Sequence, residues 1–513
     1  MIVLGLNPGV DSSAALLVDG RIGAAVSEER LSRKKLHLGF PRRGIREVLR
    51  LSGVAPGQVD CVTFSFTDYL TAHPAVTRFL LRDDGFPFDP ENPLGPGEVL
   101  SALLKAAKPG DFFPPTFGAA SERNRERNER AYLDALRELG IEVDGLYPVD
   151  HHLSHAASAF YTSGFDDALI LTSDGCGDGL SLSVSRGRGS EITRLRAGPE
   201  AGSAGMFYAS VTAYLGFKAH RHEGKITGLA ALGDPTVCYA AFEPCFRVAD
   251  DGRTLTNDFV NPSTLEKLAH LGRLFRGRWF RKSVMNAYDE HYRRHLAGES
   301  KEDIAAAAQQ RFEDVFLDYV RPIVAEEGTS KLALAGGTFA NVKLNQRLLA
   351  LEGVEEVFIH PNMGDGGNAL GSAMLAHLDL AGATDGEASE VPPAWRIDDV
   401  YLGAGFEDEE IEAELRRRGL PFERCENIEA AIAERVADYR IVGRFNGRME
   451  YGPRALGNRT IMAHPQDRTV NDTLNARLRR TEFMPFAPSV LEEDALEYFD
   501  LDDGALRAAE YMT

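Results

Sequence analysis

One pattern occurs twice along the chain and restricts the folds that it can adopt. An apolar strand, a turn rich in Gly, Asp and Ser, and a second apolar strand follow one another within residues 1–26 and again within residues 168–184. Each copy is typical of antiparallel strands that hold a polar, glycine-bearing loop between them. The two copies predict a duplicated, nucleotide-binding α/β fold.

The length of 513 residues predicts two or three packed units rather than one core. Helix and strand patterns alternate after residue 304, with loops at the strand ends, where open sheets bind ligands. A segment rich in Ala, Gly, Glu and Pro at residues 380–395 predicts a linker. We expect a first domain at residues 1–390, with insertions at about 67–137 and 238–297, and a second α/β domain at residues 398–513.

Composition excludes several classes of protein. The 77 acidic residues outnumber the 57 Lys and Arg, and the net charge of −20 argues against a nucleic-acid partner. Five scattered cysteines without a C-x-x-C spacing indicate a reducing cytoplasm rather than a disulfide framework or a zinc ribbon. The N-terminus resembles a first strand and not a signal peptide, and no apolar run approaches the ~20 residues that span a bilayer.

The segment DHHLSHAASAF predicts a metal site. His151 and His155 are four residues apart and share one face of a helix, while His152 lies to the side. Asp174 and Asp365 each end a strand in a glycine-rich turn. Together the four side chains would form a set that suits Fe(II), Mn(II) or Zn(II) with an open position. The alternative is a polar helix end with ordinary Asp-Gly turns.

Three glycine-bearing turns are candidates for binding phosphate through backbone N–H groups. They are Gly9 to Ser13, Asp174 to Gly179, and Gly336 to Thr338. Ordinary tight-turn chemistry would produce the same composition. Lys225, near a small-residue helix, would add a point charge to such a site, or would be a solvent-exposed lysine at a helix start.

The second domain has its own candidate anion site. Arg448, Arg454 and Arg459 alternate with glycines in GRMEYGPRALGNRTI, and Arg480 follows in RLRRTEFMPFAPS. Arginine offers paired donors to phosphate oxygens, and glycine lets the backbone approach a ligand. A solvated basic face is the alternative, but it would not need the interleaved Gly, Pro and aromatic residues.

Taken together, the motifs resemble those of the NodU/CmcH carbamoyltransferases, the family of the tobramycin, cephamycin and Nod-factor O-carbamoylating enzymes. The resemblance extends over nearly the whole chain. It rests on LGLNPGVDSSAALL, EERLSRKK, DHHLSHAASAF, SDGCGDG, HEGKITGLAALG, AGGTFANVKLNQRL, PNMGDGGNALG, GRMEYGPRALGNRTI and RTEFMPFAPS.

The resemblance implies an actin/Hsp70-like duplicated (ASKHA) fold for the first domain and a YrdC-like fold for the second. It also implies a two-step reaction. Carbamoyl phosphate and ATP would give carbamoyl-adenylate and pyrophosphate in the second domain, and the first would pass the carbamoyl group to a hydroxyl of a small natural product or sugar. Implied cofactors are a divalent metal, Fe2+ before Mn2+ or Zn2+, and ATP with Mg2+. A homo-oligomer is a further expectation.

The resemblance also assigns roles to individual residues. The metal ligands would be His151, His155, Asp174 and Asp365, with His152 as a proton acceptor and Lys35 as a second catalytic residue. The cofactor-binding residues would be Asp11, Ser12, Gly175, Gly177, Lys225, Gly336, Gly337, Asn341, Arg448, Arg454, Asn458, Arg459 and Arg480.

The sequence departs from the family pattern at two points. Val10 stands before Asp11 where relatives carry His, and the chain stops at EYMT where relatives continue through motifs that help to close the second domain. We therefore expect a truncated second domain, or a first half-reaction that has been lost or reassigned. Rival interpretations are a non-catalytic ATP- and metal-binding regulator, a tRNA threonylcarbamoyl-type modifier, and an actin/Hsp70-like sugar kinase.

Overall fold

The computed structural model describes residues 1–72, 74–82, 86–87, 117–259, 285–382, 395–467, 469–478, 486–501 and 503–513. Most of the predicted linker, parts of both predicted insertions, and Arg480 lie outside the described residues. We call residues 1–382 the N-terminal region and residues 395–513 the C-terminal region.

The first sheet has five strands in the order β3-β2-β1-β5-β7. β1 pairs antiparallel with β2, and β2 with β3, whereas β5 and β7 run parallel to β1. Buried apolar residues dominate β1 and β2, as expected for strands covered on both faces. The strands of this half are β1 (Ile2–Asn7), β2 (Ser13–Val18), β3 (Arg21–Ser27), β4 (His37–Leu38), β5 (Cys61–Phe64), β6 (Phe86–Pro87) and β7 (Leu146–Pro148).

The second sheet repeats this order as β10-β9-β8-β13-β14, again with three antiparallel strands followed by two parallel ones. The repeated sequence pattern therefore corresponds to a repeated mixed α/β topology. One detail differs from the expectation, because β8 continues through a bulge into the predicted turn. The strands are β8 (Asp167–Gly177), β9 (Leu180–Arg188), β10 (Glu191–Pro199), β11 (Arg247–Val248), β12 (Leu255–Thr256), β13 (Lys331–Ala335) and β14 (Glu356–Ile359).

Two helices rich in small residues, α6 and α11, pack against each other in the core that joins the two sheets. Their alanines allow close packing, and this position places the start of α6 at the ends of the second sheet's strands. The helices of this region are α1 (Glu28–Ser32), α2 (Arg42–Leu51), α3 (Thr67–Thr71), α4 (Pro74–Leu80), α5 (Phe117–Arg137), α6 (His151–Ser163), α7 (Ala204–Tyr214), α8 (Glu223–Ala230), α9 (Lys301–Glu327), α10 (Val342–Leu349) and α11 (Asn368–Leu380), with a further helical stretch at 285–295.

The C-terminal region is built differently, since no residue between 405 and 449 is buried. It contains an antiparallel pair, β15 and β16, and several short helices. The YrdC-like fold therefore stays a prediction. None of the described helices is both long and apolar enough to cross a bilayer. The elements are α12 (Asp408–Arg417), α13 (Ile428–Ala437), β15 (Val442–Phe445), β16 (Arg459–Met462), α14 (Val470–Arg477), α15 (Ala495–Tyr498) and α16 (Asp503–Glu510).

Candidate metal centre

The two candidate carboxylates meet because neighbouring strands end at one edge of the second sheet. β13 pairs in parallel with both β8 and β14, so the carboxyl ends of the three strands lie side by side. Asp174 lies near the end of β8, and Asp365 begins a short turn, Asp365–Gly367, after β14. The carboxyl end of a parallel sheet is where open α/β folds place ligands.

The two imidazoles come from the first turns of α6. Asp150 caps this helix, and its side chain accepts a hydrogen bond from the backbone N–H of Leu153 at 2.8 Å. One helical turn then separates His151 from His155, so both rings face the strand ends. The helix predicted around the DHHLSH motif is confirmed.

The four side chains converge on one point. The Nε2 atoms of both histidines lie 3.3–3.9 Å from carboxylate oxygens of Asp174 and Asp365. One ligand atom from each residue lies within 4.8 Å of the other three. With metal–ligand bonds of about 2.1 Å, ligand atoms around a tetrahedral cation lie about 3.4 Å apart. The set therefore fits one divalent cation, although the identity of the metal does not follow from it.

The protonation of the set is also consistent with a cation site. Burial holds the pKa of His151 well below its usual value. Burial opposes protonation of His155 as well, but the two carboxylates outweigh it and raise its pKa to about 9. Burial and the adjacent Asp174 raise the pKa of Asp365, so that without a metal the set holds protons that a divalent cation would displace.

Residues outside the predicted set orient His151. The Asp178 carboxylate accepts hydrogen bonds from the backbone N–H groups of His151, Thr67 and Asp68 at 2.8–3.2 Å. It therefore ties the β8–β9 turn to the starts of α6 and α3. The side chain of Asn368 lies 3.3 Å from His151 Nδ1. An amide at Nδ1 fixes the ring so that Nε2 is left for a ligand.

Two glycines in the predicted phosphate-binding turns allow close approach to the centre. A Cβ atom on Gly177 would lie 2.0 Å from the His151 ring, so a side chain would displace that ligand. Gly336 has a φ of +102°, and a Cβ there would meet the backbone of Ser173 at 2.1 Å. Gly337 follows it, beside Asp174. A Cβ on Gly175 would meet no heavy atom within 4 Å, and the backbone N–H of Gly175 donates to Asp174 Oδ1 at 2.6 Å.

The first predicted loop also reaches this edge. Asp11 has a positive φ of 52° and lies beside Gly366, whose N–H bonds its carboxylate. Burial raises the pKa of Asp11 to about 6. Ser12 is buried next to it, and Lys35 pairs with Glu29 at 2.9 Å. The structure thus brings Asp11 to the Asp365 loop, with Ser12 next to it, and Lys35 lies near enough for its charge to act on Asp11.

Two further predicted residues, Lys225 and Asn341, make their contacts with other residues of the N-terminal region. Asn341 caps α10 and exchanges hydrogen bonds with the buried amide of Gln309 at 2.9 and 3.1 Å. Gln309 in turn bonds Tyr208 and Glu313, forming a buried polar network that the sequence motifs did not indicate. Lys225 lies in the first turn of α8, with Nζ 3.0 Å from His222 Nδ1.

His152 occupies a position apart from the ligand atoms. Its ring is fully buried, and its Nδ1 bonds the hydroxyl of Thr172 at 2.7 Å. Burial lowers its pKa to about 4, so the ring is neutral near pH 7. Its role as a proton acceptor stays a prediction.

The predicted residues of the C-terminal region make mostly backbone contacts. Arg448 donates to the carbonyls of Gly23, Leu402 and Gly403, and Asn458 donates to the carbonyl of Arg448. The guanidinium of Arg459 likewise donates to four backbone carbonyls. Arg454 lies elsewhere, against the carbonyl of Ala340 in the N-terminal region at 3.4 Å.

A second histidine pair shows that spacing alone does not make such a centre. His291 and His295 are also four residues apart, with ring centroids at 4.4 Å. Within the described ranges, however, the only group suited to a metal is that of His151, His155, Asp174 and Asp365. The carboxylates at the strand ends distinguish the two pairs.

Comparison with known families identifies the chain's relationships. The family model described as Carbamoyltransferase N-terminus matches residues 113–374, and the model described as Carbamoyltransferase C-terminus matches residues 433–513. The chain therefore belongs to the carbamoyltransferase family. This result confirms the family that the sequence motifs predicted.

Individual relatives agree with this assignment. Nodulation protein NolNO of Sinorhizobium fredii is 33% identical over 96% of this chain, which spans 64% of that protein's length. Uncharacterized protein sll1178 of Synechocystis is 32% identical over 96% of this chain and 76% of that protein. The 3'-hydroxymethylcephem-O-carbamoyltransferase of Streptomyces clavuligerus is 29% identical over 54% of this chain and 46% of that enzyme.

Solved structures are more distant. HypF of T. kodakarensis has 14% identity and a TM-score of 0.37, covering 74% of this chain and 48% of that chain. Component A of the Acidaminococcus fermentans (R)-2-hydroxyglutaryl-CoA dehydratase has 14% identity and a TM-score of 0.37, over 74% of this chain and 99% of that chain. At these scores the likeness supports no argument about ligands.

Proposed function

We propose that the protein is an O-carbamoyltransferase that moves a carbamoyl group from carbamoyl phosphate, through carbamoyl-adenylate formed with ATP, onto a hydroxyl of a small molecule. The observation that carries the proposal is the convergence of two imidazoles and two carboxylates in a chain of the carbamoyltransferase family. The hydroxymethyl acceptor in the name of the cephem relative supports the same kind of acceptor here.

We assign the transfer step to the first domain, residues 1–390, with an actin/Hsp70-like fold. His151, His155, Asp174 and Asp365 would hold the divalent cation, Fe2+ or alternatively Mn2+ or Zn2+. When bound, the cation would neutralise negative charge on the donor and polarise its carbamoyl carbonyl. The Asp174 and Asp365 side chains are 20% and 19% exposed, whereas both imidazoles are fully buried. Substrates would therefore approach from the carboxylate side.

The chain's own groups would bind and orient the reactants. The backbone around Gly175, Gly336 and Gly337 would accommodate the phosphate of the donor. Lys35 would add positive charge at the Asp11 loop. If His152 accepts the hydroxyl proton, it would do so at Nε2, because Thr172 occupies its Nδ1.

We assign adenylate formation to a YrdC-like second domain, residues 398–513. Water would release phosphate from carbamoyl phosphate, an oxygen of the resulting carbamate would attack the α-phosphorus of Mg-ATP, and pyrophosphate would leave. In the transfer step the acceptor oxygen would attack the carbamoyl carbon, its proton would pass to the base, and AMP would leave.

Exchange of labelled pyrophosphate into ATP tests the first step. The chain is incubated with Mg-ATP, Fe(II) or Mn(II) and carbamoyl phosphate, without an acceptor. We expect exchange that depends on carbamoyl phosphate. A protein that binds metal and ATP without such exchange would instead be a binding partner or regulator, and this result would contradict the proposal.

The transfer step is tested with labelled carbamoyl phosphate and a panel of sugars and amino sugars. His155→Ala should abolish labelled product while sparing exchange, because the ligand set and the adenylate-forming motifs belong to different domains. His295→Ala, at the exposed member of the second histidine pair with the same spacing, serves as the matched control and should retain both activities. Equal loss of both activities in folded His155→Ala would argue against the division of labour.

A further inference from the structure

Arg454 belongs to the C-terminal region in sequence but lies against the N-terminal region in space. Its Nη2 atom is 3.4 Å from the carbonyl oxygen of Ala340, 114 residues away. Ala340 ends the short helical turn Gly337–Ala340, and a Cβ on Gly337 would lie 3.2 Å from Asp174 Oδ1. One turn of backbone therefore contacts both Arg454 and a candidate metal ligand.

Neighbouring residues hold the Arg454 segment at this place. The Tyr451 side chain is buried in the core with α11, and its ring lies 5.7 Å from that of His360. Gly452 has a φ of +116°, and a Cβ there would meet the carbonyl oxygen of Pro361 at 2.6 Å. Arg30 donates to the carbonyl of Gly452 at 2.6 Å. The segment is thus anchored on the loop that leads to Asp365.

The turn that carries Arg454 is also fixed from within. One carboxylate oxygen of Glu450 accepts the backbone N–H groups of Leu456, Asn458 and Arg459 at 2.8–2.9 Å. Glu450 is buried, so this three-donor cap holds residues 450–459 in one conformation. The position of Arg454 is therefore a property of a rigid turn.

The guanidinium of Arg454 is short of partners where it lies. Its Nε is inaccessible to solvent and has no hydrogen-bond acceptor among the described residues, which also provide no ion pair for the side chain. Burial lowers its pKa, and no carboxylate of the described residues counteracts that effect. A partly buried guanidinium with a solvent-inaccessible Nε and no counter-ion among the described residues, in a chain of net charge −20, indicates a place for an anionic ligand.

We propose that Arg454 completes the transfer site of the N-terminal region by binding the phosphate of the nucleotide-linked carbamoyl donor. The inference rests on the proposed function and differs from the expectation that Arg454 serves adenylate formation in the second domain. The phosphate would bind beside the turn 337–340, within reach of both the Arg454 guanidinium and the candidate metal centre. The C-terminal region would therefore contribute a side chain to the step assigned to its neighbour.

The experiment measures AMP binding to the full, metal-loaded chain by calorimetry, with inorganic phosphate as a competitor. Arg454→Gln should weaken AMP binding about 10-fold or more, because a charge-assisted hydrogen bond to phosphate is lost. Arg454→Lys keeps the charge without the planar fork and should give an intermediate affinity. Arg435→Gln, an exposed position on α13, is the matched control and should bind AMP like the wild type.

A second readout locates the ligand. With Mn2+ bound at the centre, the phosphorus resonance of AMP should broaden in the wild type, less in Arg454→Gln and not in Asp365→Ala. If Arg454 had only a structural role, Arg454→Gln would have a lower melting temperature and a lower metal affinity, and its AMP binding would depend on salt as in the wild type. Loss of a phosphate contact should instead reduce this salt dependence.

Three outcomes would overturn the inference. They are unchanged AMP affinity in Arg454→Gln, no broadening in the wild type, and no AMP binding at all. The pyrophosphate exchange assay is independent of them. Exchange that persists while Arg454→Gln binds AMP normally would reject the role of Arg454 and leave the proposed function standing.

Discussion

One helix from each region, both with regularly spaced apolar residues, shows how differently the two regions are built. In the N-terminal region, Ile304 of α9 is 3% exposed and packs into the largest core cluster. In the C-terminal region, Ile428 of α13 is 48% exposed, and α13 has no buried residue. Both helices carry regular apolar positions, but only α9 buries them.

One buried carboxyl group from each region shows a further contrast. Glu28 in the N-terminal region is 2% exposed, and burial raises its pKa to about 7 although the backbone N–H groups of Arg43 and Gly44 bond it. Glu450 in the C-terminal region is 3% exposed; burial again opposes ionisation, but its backbone N–H donors dominate and lower its pKa. Desolvation therefore outweighs the backbone hydrogen bonds at Glu28, whereas the hydrogen bonds outweigh desolvation at Glu450.

The largest expected effect is on stability. Ile304→Ala should lower the free energy of unfolding by about 2–5 kcal/mol, because it leaves a cavity in the core. Ile428→Ala should change it by no more than about 0.5 kcal/mol, because the side chain is already largely in water. Urea unfolding followed by circular dichroism measures both. Equal losses would mean that another surface covers α13.

A smaller effect is expected on metal binding. Gly177→Ala should weaken metal binding about 10- to 100-fold, because the new Cβ would fall 2.0 Å from the His151 ring. Gly443→Ala in β15 is the matched control, because no heavy atom lies within 4 Å of its Cβ position. Competition with a chelating dye gives both affinities. An unaffected Gly177→Ala would place the His151 ring elsewhere in solution.

The third effect concerns pH. The pKa of Glu28 is higher in the folded protein than in the unfolded chain, so its contribution to stability falls as pH rises from about 4.5 to about 7, by at most about 1.4 kcal/mol per pH unit. The pKa of Glu450 is lower when folded, so its contribution is lost as pH falls below about 4.5. Thermal melts of Glu28→Gln and Glu450→Gln across pH 3–8 should lose these opposite slopes. Parallel profiles would contradict the contrast.

Much of the N-terminal region follows from local rules of sequence. The repeated strand and turn pattern predicts a duplicated fold, and the two sheets have the same strand order. Strand ends place Asp174 and Asp365 at one sheet edge. The four-residue spacing places His151 and His155 on one helix face. These inferences use periods of two and 3.6 residues, which are properties of the local backbone. Metal ligation itself stays a prediction.

The roles of other side chains depend on contacts between residues that are distant in sequence. The local sequence pattern did not predict these contacts. Asp178 resembles an ordinary turn residue until its carboxylate is seen to bond the N–H of His151. Arg448 and Arg459 resemble anion ligands in sequence, yet both donate to backbone carbonyls. The sequence motif around Arg454 predicts affinity for anions but not the region that the side chain faces.

The metal centre is tested most directly by a titration of the metal-free chain with Co2+, followed by its visible absorption. We expect one tightly bound cation per chain with nitrogen and oxygen ligands, at least 100-fold weaker binding in Asp365→Ala and His155→Ala, and unchanged binding in His295→Ala. Absence of Co2+ binding by the wild type, or equal binding by Asp365→Ala, would contradict the assignment of the four converging side chains as a metal centre.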